Sequence, residues 1–288
     1  MFRLKQHICY PGNPKKPNED AIGYGKDYCF ALDGASCLSG VNVMDPESDA
    51  AWMVRNVAAA LCQRLSAGDD RPTEEILTEI LMPLREQYFA KLAELGTDEP
   101  DDSPSAGFSL FRQRNGQLEF FGLGDCVGMA SLPDGKTFCW LDHDLPNLDN
   151  QVLEEMMRLH KEIGLPVIQT RSLCMDILLA NRKMRNHPEG YWILDLANPE
   201  GLLQAEKRVW ALTEPITVAS FSDGFAQLTE VFALYKGYPK LFDAIQSTDL
   251  EALWEELKQA QDNDADCDDF PRFKLRDDTC AIWGVFEP

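Results

Sequence analysis

The sequence predicts an α+β protein, in which helices and mostly antiparallel strands occupy separate blocks of the chain. Two observations indicate this class. Apolar residues with the spacing of amphipathic helices occur early in the chain, and dipeptides typical of hairpins join consecutive strand-like runs further along it. The chain has 288 residues, of which 44% are hydrophobic and 26% charged, so it can bury a sizeable core. It contains neither an internal repeat nor a long Gly-, Ser- or Pro-rich linker. We therefore expect one domain over residues 1–288.

The first third of the chain predicts one strand and two helices. The apolar-aromatic run 27–32 is typical of a strand and is followed by an Asp-Gly dipeptide, which favours a turn. Apolar residues recur every three or four positions over 48–66 and again over 73–95, as on the buried face of a helix. Pro83 is expected to kink the second helix and Gly96 to end it.

The rest of the chain predicts hairpins and two further helices. Asn115-Gly116 and Asp134-Gly135 are strong hairpin signals, so the strand-like runs around them predict an antiparallel meander. Residues 164–190 show no regular pattern and are expected to be irregular. The predicted strands are 106–112, 117–123, 126–131, 136–141, 191–196, 208–213, 215–222 and 280–286. The predicted helices are 151–163 and 249–261.

Charge and composition argue against several classes of partner. The chain carries 27 Lys+Arg against 48 Asp+Glu, a net charge of −21 that repels phosphates, so we expect no nucleic-acid partner. No apolar run approaches the roughly 20 residues that span a bilayer, and we expect no membrane partner. The start of the chain lacks the apolar core of a secretory signal. Nine cysteines without a CxxC pair are typical of reduced thiols, which points to a cytoplasmic location.

Aspartates follow or flank strand-like runs at four places, and an acidic pair stands earlier in PNEDAIG. These places are Asp33 in FALDGAS, Asp125 in GLGDCVG, Asp223 in ASFSDGF, and Asp277 or Asp278 in LRDDTCAIW. Mg²⁺ and Mn²⁺ prefer oxygen ligands, and converging carboxylates could hold two such ions roughly 3.5–4 Å apart. An Asp-Gly dipeptide by itself is more commonly an ordinary turn. The residues alone therefore leave open both a metal-dependent hydrolase and a set of plain turns.

The order of these segments resembles the signature motifs of a known family. PNEDA, FALDGAS, GLGDCVG, SFSDGF and RDDTCAI are similar, in that order, to the motifs of the PP2C-type (PPM) metal-dependent protein Ser/Thr phosphatases. The resemblance runs from about residue 12 to residue 286. It implies a four-layer αββα sandwich, in which two central antiparallel β-sheets are flanked by helices. It also implies a variable, flap-like segment at about residues 145–190.

Three of the motifs imply ligands of the core metal ions. By resemblance, Asp33 would bridge two ions and Gly34 would offer its backbone carbonyl. Asp223 would bind a metal ion together with Asp277, the first residue of the last motif, and Asp278 is the alternative ligand. The implied cofactors are two core Mn²⁺ or Mg²⁺ ions and a weaker third ion.

The remaining motifs imply supporting residues. Glu19 would hold metal-bound water with Asp20 beside it, and Asp125 would lie near the third metal position. Lys15 stands four residues before Glu19, where many family members carry an arginine that grips the phosphate. By resemblance Lys15 would bind the substrate phosphate, although a lysine lacks the bidentate fork of an arginine.

The activity that the resemblance implies is hydrolysis of phosphoserine and phosphothreonine monoesters in proteins. A metal-activated water would attack without a covalent intermediate, with Asp33 and Lys15 as catalytic residues. The substrates would be phosphoproteins made by a Ser/Thr kinase, and we expect a monomer. Two alternatives stay open: a PP2C-like regulatory or binding module with little or no activity, and a phosphohydrolase of small-molecule phosphates.

A basic stretch interrupts the acidic chain within residues 164–190, in the part that resembles the variable segment. It includes Arg182 and Arg185. Our hypothesis is that these two arginines bind the phosphoprotein substrate. The competing interpretation is a solvated basic face without a ligand.

Overall fold

The computed structural model describes residues 1–96, 102–142 and 144–288. In those ranges the strands are β1 (Phe2–Tyr10), β2 (Asp20–Tyr24), β3 (Tyr28–Ala35), β4 (Ser105–Arg114), β5 (Gln117–Leu123), β6 (Val127–Ser131), β7 (Thr137–Trp140), β8 (Leu194–Asp195), β9 (Glu206–Ala211), β10 (Ile216–Phe221) and β11 (Thr279–Phe286). The helices are α1 (Asp49–Ser66), α2 (Thr73–Leu95), α3 (Asp144–Ile163), α4 (Val167–Thr170), α5 (Met175–Arg182), α6 (Asp223–Glu230), α7 (Tyr238–Ser247) and α8 (Leu250–Asn263). Short 3₁₀ turns cover Arg171–Cys174 and Pro199–Gln204.

The strands form two antiparallel sheets. The first sheet has the order β1-β11-β10-β6-β7, and the second has the order β2-β3-β4-β5-β9 with β8 beside the start of β4. Helices α1 and α2 pack on the second sheet, whereas α6, α7 and α8 pack on the first. This arrangement confirms the α+β class and the four-layer sandwich that the resemblance implied.

Aromatic side chains fill the space between the two sheets. Phe2 and Phe286 from the first sheet belong to one buried cluster with Phe111 and Phe120 from the second. Each such side chain contributes about 1.5–3 kcal/mol when it is fully buried. Because this cluster clamps the sheets face to face, groups on the two sheets keep fixed positions relative to each other.

Several local predictions are confirmed at their boundaries. Helix α1 begins after Ser48, whose hydroxyl accepts a hydrogen bond of 3.0 Å from the Ala51 amide. Helix α2 ends at Gly96 with a φ of 69°, and the β4–β5 hairpin turns through Asn115 and Gly116 with φ values of 52° and 73°. Glycine and asparagine adopt these left-handed conformations more readily than other residues do. This preference is why Gly96 correctly predicted the end of α2 and Asn115-Gly116 correctly predicted the hairpin.

Three local predictions are wrong. The expected meander is interrupted, because β5 and β6 belong to different sheets and the chain crosses between them after Gly124, whose φ is 72°. The Asp-Gly dipeptide at 33–34 lies inside β3 instead of a turn, paired with β2 and β4. The segment 164–190 is partly helical, since it contains α4, a 3₁₀ turn and α5. Helices of four to eight residues are too short for a helical period to show in a sequence.

Helices α3 to α5 form a separate group beside the sandwich, with a small core of their own. Val152 and Met156 of α3 pack against Val167 and Cys174, and Cys267 closes this cluster from the loop after α8. Among the described residues, no individual helix is long and apolar enough to cross a membrane, and only the bent pair Asn147–Ile163 and Val167–Arg182 meets that requirement by length and composition.

Candidate functional site

Three aspartates from different elements meet where the two sheets face each other. Oxygen atoms of Asp33, Asp125 and Asp223 all lie within 4.8 Å of one another. Asp33 belongs to β3, Asp125 follows β5 in the second sheet, and Asp223 starts α6 directly after β10 of the first sheet. Such a group of carboxylate oxygens could hold a divalent cation that prefers oxygen ligands. We call these three residues the aspartate cluster.

Glycines and one backbone hydrogen bond position the cluster. Asp33 pairs with Gly107 across β3 and β4, and a Cβ at Gly107 would lie 2.3 Å from the Asp125 carboxylate. Only a residue without a side chain therefore leaves room for Asp125 beside Asp33. The amide of Asp223 donates a hydrogen bond of 3.1 Å to the Asp33 carboxylate, which ties the two sheets together at this point.

The electrostatics of the cluster favour a bound cation. Burial raises the pKa of Asp33 well above its usual range, and the charges of Asp223, Asp20 and Asp125 raise it further. Burial, with Asp277 as the next cause, raises the pKa of Asp223 to about 7. Like charges in a poorly solvated site resist ionisation, and a bound metal ion would remove that resistance.

Asp20 is a buried carboxylate beside the cluster. It lies opposite Asp33 in the β2–β3 pair and is 5% exposed. Within the described residues neither of its carboxylate oxygens makes a hydrogen bond of good geometry, and burial, partly offset by the nearby Ser222 hydroxyl, raises its pKa well above the usual range. An unpartnered buried carboxylate is costly, so this residue fits a site that a cation or its water completes.

Asp277 and Asp278, which directly precede β11, make different contacts. The Asp278 carboxylate accepts hydrogen bonds from the amides of Gly12 (2.7 Å) and Glu19 (2.6 Å) and so holds the preceding loop in place. Asp277 instead lines the cavity that also contains Asp33, Asp125 and Asp223. Of the two candidate ligands, Asp277 and not Asp278 lines this cavity.

Glu19 is anchored between two hydroxyl groups. Its carboxylate accepts a hydrogen bond of 2.6 Å from Ser48, the N-cap of α1, and another from Ser36. Its carbonyl accepts a 3.0 Å hydrogen bond from Gly34, where a Cβ would come within 2.5 Å of that same oxygen. Glu19 is therefore held at the mouth of the site, and Gly34 is required for the close approach.

The structure does not bring Lys15 to the cluster. Its side chain is exposed, and its amide donates a 3.0 Å hydrogen bond to Asn13. The lysine that does reach the site is Lys274, whose ammonium donates to Asp277 at 2.7 Å. Burial alone would lower the pKa of Lys274, but the charge of Asp277 and this hydrogen bond raise it above its usual value. No sequence pattern distinguished Lys274, since it lies in an irregular loop.

Helices α3 and α5 cover one side of the site. A cavity of about 140 Å³ lies between them and the cluster, and it opens beside two larger cavities of about 410 and 600 Å³. Asp149 of α3 and Arg182 of α5 line the small cavity together with Arg171. Burial, partly offset by Arg182, raises the pKa of Asp149 to about 6. Asp149 was not predicted, because one acidic residue on a helix carries no distinguishing signal.

The two arginines named from the sequence occupy different environments. Arg182 donates a hydrogen bond of 3.3 Å to the Ser36 carbonyl and lines the cavity above the cluster. Arg185 lies 3.5 Å from the Asp195 carboxylate in an ion pair whose side chains are 6% and 5% exposed, and it donates to the Ser103 carbonyl at 2.7 Å. Arg182 therefore lines this cavity with a side chain that is 14% exposed and lies 3.7 Å from the Asp102 carboxylate, whereas Arg185 is buried inside the protein.

We expect Arg185→Met to destabilise the fold by about 3–5 kcal/mol, because it leaves the Asp195 charge buried and unpaired. Urea unfolding would measure this change. The matched control is Arg158→Met on the surface of α3, where solvent screens the pairs with Glu155 and Glu162 and their loss should change stability little. Unchanged stability of Arg185→Met together with a raised KM for a phosphopeptide would instead assign Arg185 to substrate binding.

Comparison with solved structures identifies the fold. A serine/threonine phosphatase of Mycobacterium tuberculosis, PstP/Ppp, superposes with a TM-score of 0.56 over 100% of this chain and 99% of its own, at 13% identity. The catalytic domain of PstP in complex with two manganese ions gives 0.53 over 99% of both chains, at 14% identity. PppA of Pseudomonas aeruginosa gives 0.51 over 99% of this chain and 96% of its own, also at 14% identity. No protein-family model and no curated protein matches the sequence. The chain thus has the PP2C-type fold.

Proposed function

We propose that this chain is a Mn²⁺- or Mg²⁺-dependent phosphatase that hydrolyses phosphoserine and phosphothreonine monoesters in proteins. The observation that carries the proposal is the convergence of Asp33, Asp125 and Asp223 within 4.8 Å, in a fold shared with a phosphatase solved with two manganese ions. The chain would act as one domain over residues 1–288, as a cytoplasmic monomer, with about 145–190 as its flap.

The donor set suits hard divalent cations. Asp33, Asp223 and Asp277 would hold the core ions, with Gly34 as a carbonyl ligand, and Asp125 would hold a weaker third ion. When bound, such cations neutralise phosphate charge and activate water for attack.

The chain's other groups would organise this centre. Asp278 holds the loop that carries Glu19, and Ser48 with Ser36 fixes the Glu19 carboxylate at the mouth. Asp20 offers a buried carboxylate opposite Asp33 that would complete the ligand set of this centre. These contacts give the residues defined orientations before a substrate arrives, which lowers the cost of reaching the transition state.

Arg182 would contact the substrate. It lines the small cavity that the carboxylates also line, on a helix of the flap-like segment. A guanidinium group at that place offers a charge-assisted hydrogen bond to a phosphate oxygen or to an acidic residue of the phosphoprotein.

Turnover by the full chain tests the proposal. We expect Mn²⁺ to support hydrolysis of a phosphothreonine peptide and EDTA to abolish it. The value of kcat/KM for the peptide should exceed that for a sugar phosphate by at least about tenfold, equivalent to about 1.4 kcal/mol. A preference for the sugar phosphate would indicate a small-molecule phosphohydrolase. No turnover of either substrate with Mn²⁺ or Mg²⁺ would favour a regulatory or binding module.

A further inference from the structure

Lys274 places a positive charge within the wall of the carboxylate site. It lies in the loop between α8 and β11, and its ammonium nitrogen is 2.7 Å from Asp277 and 3.4 Å from the Ser36 hydroxyl. Together with Asp277 it lines all three cavities that meet at the site. Its side chain is 38% exposed, so a ligand in any of these cavities can reach it.

The geometry leaves donor capacity for an anion. An ammonium group has three N–H donors, and the contacts to Asp277 and Ser36 account for two of them. Those two contacts also hold the flexible lysine stem in one direction, which reduces the entropy lost when a ligand binds. The third donor can therefore meet a phosphate oxygen at little additional cost.

A phosphate needs such a cation here. A phosphate monoester carries about two negative charges, and the carboxylates of the site repel it. Metal ions would offset part of this repulsion, but a donor on the protein also fixes the orientation of the phosphate. The resemblance assigns this task to Lys15, whose side chain is exposed and does not line these cavities.

We infer that Lys274 is the residue that grips the phosphate of the substrate and of the phosphate product. This inference rests on the proposed function, and it transfers the phosphate-binding role from the loop before β2 to the loop before β11. Lys274 would then be a substrate-binding residue whose charge lowers the KM for phosphate esters. In the competing interpretation, Lys274 only orients Asp277 and never contacts the substrate.

Binding of inorganic phosphate to the Mn²⁺-saturated full chain distinguishes these interpretations. Calorimetry on the wild type, Lys274→Met and Lys274→Arg measures the dissociation constant without any turnover. We expect Lys274→Met to weaken phosphate binding by about tenfold, which corresponds to the loss of one charge-assisted hydrogen bond. Lys274→Arg keeps the charge and should restore most of the affinity. Lys91→Met, on the exposed surface of α2, is the control for losing one positive charge.

A second measurement separates phosphate binding from metal binding. If Lys274 only orients Asp277, Lys274→Met should weaken Mn²⁺ binding and leave the phosphate affinity of the Mn²⁺-saturated protein unchanged. Our inference predicts the opposite: Mn²⁺ binds at least as tightly, because one repelling charge has gone, while phosphate binds more weakly. Lys15→Met should weaken phosphate binding less than Lys274→Met, and the reverse order would overturn the inference.

Failure of the proposed function gives a different result. In that case the wild type would hydrolyse neither phosphopeptide nor p-nitrophenyl phosphate with Mn²⁺, whatever residue stands at position 274. If the wild type turns over but Lys274→Met leaves both the phosphate dissociation constant and the KM unchanged, the proposed function stands and the role of Lys274 is refuted.

Discussion

Asp33→Asn should lower metal-dependent turnover at least about a thousandfold, equivalent to about 4 kcal/mol of transition-state stabilisation. The residue stands at the centre of the site, since one of its carboxylate oxygens lies within 4.8 Å of oxygens of Asp125 and Asp223. Its carboxylate also accepts a hydrogen bond from the Asp223 amide. An asparagine keeps the size of the side chain but removes a charged ligand. Hydrolysis of p-nitrophenyl phosphate with saturating Mn²⁺, and Mn²⁺ binding by calorimetry, would measure the loss.

The same substitution should stabilise the metal-free protein, because it removes one of several carboxylates that repel each other. A rise in melting temperature with EDTA would therefore accompany the loss of activity and would exclude unfolding as its cause. Asp243→Asn on the exposed surface of α7 is the matched control, since it also removes one acidic charge. Full activity of Asp33→Asn would exclude Asp33 as a metal ligand of the reaction.

Mn²⁺ should stabilise the protein strongly, and more so at higher pH. A metal ion present at 100 times its dissociation constant raises the free energy of unfolding by about 2.7 kcal/mol. Without metal, the folded protein binds protons on Asp33, Asp149 and Asp223 more tightly than the unfolded chain does, because these pKa values are raised. The free energy of unfolding therefore falls as pH rises from about 4, the ordinary aspartate value, to about 7.

Urea unfolding with EDTA at about pH 5.5 and about pH 7.5 would measure this dependence, with the lower pH giving the higher stability. A saturating Mn²⁺ concentration should remove most of the difference, since metal ligands must be deprotonated. The overall charge of −21 also favours lower pH, so the informative quantity is the difference between the wild type and Asp33→Asn. Equal pH slopes for the two proteins would show that Asp33 does not contribute to the effect.

Local patterns predicted much of the outer structure because they depend on neighbouring residues. Ser48 marks the start of α1 and Gly96 marks the end of α2, both at the expected places, and Asn115-Gly116 forms the expected hairpin. The strands β1 and β2 and the helices α6 and α7 were not predicted. In β1 the register shifts between Leu4 and Gln6, which disturbs the alternation that identifies a strand.

The crossing after Gly124 shows where local patterns end. A glycine with a φ of 72° permits either a hairpin or a change of sheet, and only the packing of two complete sheets selects the latter. This crossing also places Asp125 beside Asp33. The wrongly predicted meander therefore lies in the segment that supplies one of the three clustered aspartates.

The identity and order of the candidate carboxylates could be read from the chain alone, because each motif from Glu19 to Asp277 is a short contiguous stretch. That Asp33 and Asp223 meet, that Asp277 lines the same cavity, and that Lys274 reaches the site follows from the folded arrangement alone. These contacts join residues far apart in the chain, since 190 residues separate Asp33 from the Asp223 amide that donates to it. Contacts of that kind arise from the packing of two sheets, which no local periodicity encodes.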